Sequence, residues 1–264
     1  MGLSPLLTRY DNVLLDLDGC VWVGSTCTPH APEAVAALRA ADKRLAFVTN
    51  DATRSPEEYV RKLWSLGVQA SLEEVVTVGA AIQYALAEHP PGAVYVIGAP
   101  AIFRHVSEAG HRIVNGTGEE READVVVVAA NEEFSYQELR VATQAVLAGA
   151  EILAAGRDRT FPAEDGPSPG SGALLAALEY ATGRTGRVLG KPDPQIFRTA
   201  LDRLGPGRSL VVGDRLDSDL AGAAAAGLDA AIVLTGVTSS EDAGAASDPA
   251  PVAVARDLHK LVVA

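Results

Sequence analysis

Three short apolar runs, each closed by a polar or acidic residue, constrain this chain more than any other feature: Asn12–Asp16 (NVLLD), 45–49 (LAFVT) and 210–214 (LVVGD). Leucine-rich or β-branched and bounded by polar residues, they read as buried strands. Longer helical stretches stand between them. Residues 32–41, PEAVAALRAA, place Pro in a first helical turn ahead of alanine-rich sequence. Residues 55–66, SPEEYVRKLWSL, predict a second helix: Ser55 can cap it, Pro56 suits its first turn, Glu57 and Glu58 favour its N-terminus, and Gly67 stops it. A third, QIFRTALDRLG, follows Pro194 and is closed by Gly205. Strand alternating with helix is the pattern of a parallel sheet covered on both faces, so the expected fold class is α/β.

The middle of the chain repeats that theme. Residues 93–98 (AVYVIG) and 124–129 (DVVVVA) read as strands, with a helix at 136–147 leading to a further strand at 151–154. Glycine turns at Gly79 and Gly183 are expected to bracket an inserted α/β domain at 80–182, between core segments 1–79 and 183–264. With 264 residues, 48% of them hydrophobic, the chain can bury a real core without disulfides. The alanine-rich run 221–227 reads as a tightly packed helix. Ligands of such folds sit beyond the carboxyl ends of the strands, so the residues that close the apolar runs are where chemistry is expected.

Asp16 and Asp18 close the first run, in DLDGC. Two carboxylates at a strand end in apolar surroundings raise the pKa of at least one of them unless a cation is present; the plainer alternative is a turn in which Asp18 and Gly19 only break the strand. Asp214, Asp217 and Asp219 follow another run, in GDRLDSD. Hard oxygen ligands of this kind suit Mg²⁺, which keeps several waters and pairs with substrate phosphate. Asp217 is expected simply to cap the following helix. Thr49 ends the second run, in FVTND, where a hydroxyl and adjacent N–H groups, with Asn50 beside it, can receive an anion. Lys191 lies between Gly190 and Pro192 in a chain with only three other lysines, Lys43, Lys62 and Lys260, and its ammonium can neutralise a phosphoryl oxygen.

Taken together and in this order, these pieces resemble the haloacid dehalogenase superfamily of phosphohydrolases over essentially the whole chain. DLDGC is similar to its first motif, Thr49 stands at the second, Lys191 at the third, and GDRLDSD at the fourth. DLDGCVWVG, VTNDATRS, GKPDPQIF and GDRLDSDLAGAAAAGL resemble the NagD-type branch, which carries a large α/β cap between its second and third motifs. The resemblance implies a Rossmann-like core with that cap inserted, and a Mg²⁺-dependent phosphatase. Asp16 would be the nucleophile that forms an aspartyl-phosphate and Asp18 the general acid and base. Asp16, the backbone carbonyl of Asp18, and Asp214 would hold the metal, with Asp219 behind them orienting Lys191 or a metal-bound water. Thr49, Asn50 and Lys191 would bind the phosphoryl group. Substrates of the branch include nucleotide monophosphates, pyridoxal phosphate, phosphoglycolate, glycerol phosphate and p-nitrophenyl phosphate; glycerol 3-phosphate is the specific expectation here. The sequence departs from the branch at Asp51, Cys20 and Arg157. Cys20 reads as a small packed residue, and Arg157, in a cap loop with Asp158 and Arg159, is a candidate contact for a polar substrate tail.

Competing readings fare less well. G-x-S-x-G at 166–170 carries prolines on both sides of its serine, which forbid the strand-to-helix elbow of a serine hydrolase and point to a turn before a helix. GRVLGK lacks both the spacing and the hydroxyl of a P-loop, and the five histidines show no zinc-ligand spacing. A phospho-acceptor signalling domain shares the Asp, Thr and Lys but has no use for an acid–base group at Asp18. A net charge of −12 with scattered basic residues argues against nucleic acid and anionic membranes as partners. No window approaches the ~20 apolar residues of a spanning helix, and the first residues resemble neither a secretion signal nor a myristoylation site. With Cys20 and Cys27 as its only cysteines, the chain is expected to be cytoplasmic. The resemblance also allows a homodimer formed through the cap.

Overall fold

The computed structural model describes residues 2–163 and 166–264. They form two compact units, one made of the N-terminal segment to Thr49, Pro56–Val76 and Lys191–Ala264, the other of Asn50–Ser55 and Thr77–Gly190.

The first unit is built on a six-stranded sheet in the spatial order Ala253–Ala255, Asp229–Val233, Ser209–Gly213, Asn12–Asp16, Arg44–Thr49, Val75–Thr77. Numbered along the chain and read from the other edge this is 3-2-1-4-5-6, the doubly wound order whose connections reverse between the first and fourth strands. Asn12–Asp16 pairs in parallel with both neighbours, Leu15 lying opposite Phe47 on one side and Val212 on the other. Every residue of Asn12–Asp16 and Ser209–Gly213 is buried, which is why these strands read as unbroken apolar runs rather than alternating ones. Val13, Leu15, Phe47 and Val212 join a core shared with Val35 and Leu38 of the helix Ala31–Ala40 and Leu258 near the C-terminus. Asp229–Val233 (DAAIV) and Ala253–Ala255 (AVA) escaped the sequence reading because alanine has little preference for strands.

The second unit holds a five-stranded parallel sheet in the order Arg187–Val188, Glu151–Ala154, Val125–Val128, Ala93–Ile97, Arg112–Ile113. Its longest helix, Tyr136–Ala148, starts in a capping box between Ser135 and Glu138. Arg187–Val188 completes the sheet, so this unit extends to Gly190, beyond the 182 expected from sequence. Gly183 does end the helix Ser171–Thr182, at φ +66°. Gly79 does not make a turn: it lies inside the helix Val78–Ala87, whose N-cap is the Thr77 side chain. Gly166–Pro169 is a strand paired antiparallel with Thr160–Ala163, and Gly170 then caps the helix Ser171–Thr182. Among the described residues no helix is long and apolar enough to cross a membrane.

Gly79 is small for a packing reason. A Cβ there would lie 2.7 Å from Nε2 of His105, which is buried on the helix Pro100–Glu108 and hydrogen-bonded to Gln83. Gly79→Ala gains up to about 1 kcal/mol of helix propensity but overpacks the helix pair at a cost of about 1–3 kcal/mol. The expected net result is a melting temperature lowered by a few degrees, read by calorimetry, with catalytic constants unchanged.

Candidate active site

The site grows from the point where the connections of the first sheet reverse. There the carboxyl ends of Asn12–Asp16 and Ser209–Gly213 lie side by side, and the residues that follow them are acidic. Asp16 (7% exposed), Asp214 (1%) and Asp219 (1%) are all buried, as is Lys191 (5%). One carboxylate oxygen from each of the three aspartates falls within 4.8 Å of the others. Gly19 makes this approach feasible: its φ of +89° turns the chain after Asp18, and a Cβ there would lie 2.5 Å from Oδ2 of Asp214.

Lys191 binds the cluster together. Its ammonium donates to Oδ1 of Asp16 and, at 2.8 Å, to Oδ1 of Asp219. The other oxygen of Asp219 accepts from the backbone N–H of Arg215 at 3.1 Å. Asp219 reaches this position on a wide five-residue helical turn, Leu216–Leu220, in which the Leu220 N–H bonds back to the Arg215 carbonyl. Asp217 points elsewhere. Contrary to expectation it caps no helix: it is exposed and accepts two hydrogen bonds from the Arg215 guanidinium, at 2.9 and 3.0 Å.

Asp214 is held by a loop that sequence reading missed. Its Oδ2 accepts from the Val237 N–H at 2.6 Å and its backbone carbonyl from the Thr238 N–H at 3.2 Å. A Cβ on Gly236 would overlap the carboxylate. The remaining oxygen, Oδ1, is buried without a hydrogen-bond partner. An orphaned buried carboxylate oxygen is costly unless something positive meets it.

The electrostatics point the same way, since three carboxylates face one ammonium. Burial opposes the charge of Lys191, but Asp16 and Asp219 outweigh it and hold the ammonium well above the usual lysine range. Burial pushes the carboxyl of Asp16 well up; Lys191 opposes that, and the charges of Asp219 and Asp214 add to it. Burial likewise raises Asp214, against the Val237 N–H and with Asp219 adding. Such a cluster is short of positive charge. Hard oxygen donors, one of them unsatisfied, fit a divalent cation such as Mg²⁺.

Thr49 is buried at the end of the strand beside Asp16, whose register partner is Val48. Asp18 is exposed, and its Oδ1 accepts from the indole N–H of Trp22 at 2.7 Å. Asn50 and Arg157 belong to the second unit. Asn50 packs on Gly190, where a Cβ would come 2.7 Å from its Oδ1. Asp51 closes a local turn, its Oδ1 accepting from the N–H and hydroxyl of Thr53. Arg157 makes a two-pronged ion pair with Glu179 at 2.8 and 2.9 Å, the guanidinium's hydrogen bonds holding the Glu179 carboxyl below its ordinary range. That pair ties the loop around Arg157 to the helix Ser171–Thr182. Cys20 is fully buried, and its carbonyl accepts from the Thr28 hydroxyl at 2.7 Å.

Comparison with known proteins follows the same lines. Residues 13–112 match the haloacid dehalogenase-like hydrolase family, and residues 188–261 match a HAD-hydrolase-like family. The D-glycerol 3-phosphate phosphatase of Mycobacterium tuberculosis is 39% identical over 98% of this chain and 73% of its own length. The acid sugar phosphatase of Staphylococcus aureus is 33% identical over 97% of this chain and 98% of its own. The crystal structure of the M. tuberculosis glycerol phosphate phosphatase in complex with magnesium superposes with a TM-score of 0.91, at 38% identity over 98% of this chain and 78% of that one.

Proposed function

The chain belongs to the haloacid dehalogenase-like hydrolases and is a phosphatase, and on that premise we propose that it is a Mg²⁺-dependent phosphomonoesterase of the cytoplasm. In this reading it hydrolyses a small polar phosphate ester, glycerol 3-phosphate foremost, through a phosphate ester of Asp16. The observation that carries the reading is the buried trio of Asp16, Asp214 and Asp219 around Lys191, with one oxygen of Asp214 left unsatisfied. The choice of glycerol 3-phosphate rests on the M. tuberculosis relative; phosphoglycolate, pyridoxal phosphate and nucleotide monophosphates are the alternatives.

The residues then divide the work between them. Lys191 keeps Asp16 turned into the site and later meets an oxygen of the phosphoryl group. Asp16 attacks phosphorus; the new Asp16 oxygen–phosphorus bond forms as the bond to the ester oxygen breaks. Asp18 gives its proton to that departing oxygen. In the second half Asp18 takes a proton from a water molecule as its oxygen attacks the same phosphorus, which frees inorganic phosphate and restores the Asp16 carboxylate. Thr49 receives a phosphoryl oxygen at the next strand end. Asp16, Asp214 and the backbone carbonyl of Asp18 would hold Mg²⁺, which when bound offsets the repulsion between the anionic nucleophile and the anionic phosphoryl group. Asp219 orients Lys191, a role that its hydrogen bond to the ammonium supports.

A phosphate-release screen tests this. The panel is glycerol 3-phosphate, phosphoglycolate, pyridoxal phosphate, nucleotide monophosphates and sugar phosphates, each with Mg²⁺ and with EDTA. Release from glycerol 3-phosphate is expected to have the highest kcat/KM and to fall at least about 100-fold on chelation. Equal release with and without EDTA would remove the metal from the reading, and a single lasting phosphorylation without turnover would favour a signalling domain.

A further inference from the structure

Asp18 is the only member of the proposed machinery that is exposed, yet it is not loose. Its Oδ1 takes the indole N–H of Trp22 at 2.7 Å, and among the described residues this is its one side-chain hydrogen bond. The backbone joins the same two residues: Gly19 N–H donates to the Trp22 carbonyl at 2.6 Å, and Asp18 and Trp22 form an isolated parallel bridge. The indole itself is held on several sides. Trp22 is fully buried, lies parallel to the Tyr59 ring with 6.3 Å between centroids, and carries the Lys62 ammonium 4.0 Å from its own ring centroid. Lys62 donates in turn to the Gly24 carbonyl in the turn of the hairpin that Trp22 opens.

A buried indole N–H needs an acceptor, and a carbonyl could have served. What is unusual is the direction of rigidity, since a locked donor grips an exposed carboxylate that would otherwise rotate freely in solvent. An indole N–H donates and never accepts, so Oδ1 has to be an acceptor whatever the protonation state of Asp18. A proton on Oδ1 would have to turn away from the indole and weaken that bond, so the proton that Asp18 gives and recovers is favoured on Oδ2. We propose that Trp22 is a positioning residue for proton transfer: it fixes the Asp18 carboxyl so that Oδ2 alone faces the departing and attacking oxygens. This rests on the acid–base reading of Asp18 given above.

The leaving group separates positioning from general damage. An alkyl alkoxide needs its proton as it departs, whereas p-nitrophenolate leaves well without one. The constant to compare is kcat/KM, which covers the steps up to the first irreversible one, here the phosphorylation of Asp16. Two variants remove the N–H: Trp22→Phe, and replacement of Trp22 by benzothienylalanine, which keeps the bicyclic shape and so guards against a folding defect. For glycerol 3-phosphate, or whichever alkyl ester the screen turns over best, kcat/KM is expected to fall about 10–100-fold in both, as misplacing a catalytic group does. For p-nitrophenyl phosphate the fall is expected to stay under about 3-fold, because the proton contributes little there. An equal fall for the two esters, or no fall for either, overturns the assignment. Asp18→Asn runs in parallel. If it discriminates between the esters and the Trp22 variants do not, the role of Trp22 is wrong and that of Asp18 stands. If Asp18→Asn does not discriminate either, the acid–base reading fails and takes this inference with it.

Discussion

Asp16→Asn is expected to abolish phosphate release while leaving the fold intact. The substitution keeps volume and shape and replaces one oxygen with an NH₂ group, which has no lone pair to offer phosphorus. Turnover should fall on the order of 10⁴-fold or more, the scale on which removal of a nucleophile acts. Stability should not follow it down. Lys191 loses one of its two carboxylates but keeps Asp219 at 2.8 Å, and the carboxyl removed is one whose charge burial already disfavours. Two measurements separate the effects: circular dichroism and melting for the fold, and acid-quenched mass spectrometry for a phosphorylated Asp16, present in the wild-type chain during turnover and absent in the variant. Normal hydrolysis by Asp16→Asn would transfer the nucleophile's role to another residue and dismantle the mechanism.

Why Asp16 stands out in the sequence, and the loop that holds Asp214 does not, is a matter of range. A strand buried on both faces is apolar through its middle, so NVLLD and LVVGD stand out, and a carboxylate at the end of such a run is conspicuous because nothing apolar asks for it. The glycine that follows is legible too, since the turn needs φ +89°. Strands that lean on alanine, such as Asp229–Val233, have no comparable signature. The loop that grips Asp214 works through the N–H groups of Val237 and Thr238, and every residue but proline carries such a donor. The Arg157–Glu179 pair bridges 22 positions, so local sequence does not show that the guanidinium is engaged. Gly79 is ambiguous in sequence for a related reason: a glycine can serve a turn or a tight packing contact, and only the position of His105 tells which. The pattern within each motif is local and shows in the sequence, whereas the loop that holds Asp214 is set by the tertiary fold.

Lys191→Met tests the electrostatic account of the site as a whole. The methionine keeps the length of the stem and removes the charge, leaving Asp16 and Asp219 buried without the ammonium that both now use. Breaking a buried ion pair by deleting one partner costs about 3–5 kcal/mol, and loss of the phosphoryl-binding charge should lower kcat/KM about 10²–10³-fold. The pH dependence carries the sharper test. In the wild-type chain the pKa of Lys191 is held above the ordinary lysine range. Its contribution is therefore fully present below about pH 10 and does not vary across the neutral range. In the variant the Asp16 carboxyl, already raised by burial, has lost its opposing charge and rises further. A carboxyl raised in the folded state binds protons more tightly there than in the unfolded chain, so its penalty is absent below about pH 4 and grows as the pH climbs towards the raised value. The deficit of Lys191→Met relative to wild type should accordingly be small near pH 4 and widest near pH 8, and millimolar Mg²⁺ should narrow it at the alkaline end by meeting the same carboxylates. Melting curves across that range, with and without the cation, decide the matter. A deficit independent of pH would mean that Lys191 stabilises through packing alone, and that the three carboxylates are not the positive-charge-deficient cluster on which the catalytic reading depends.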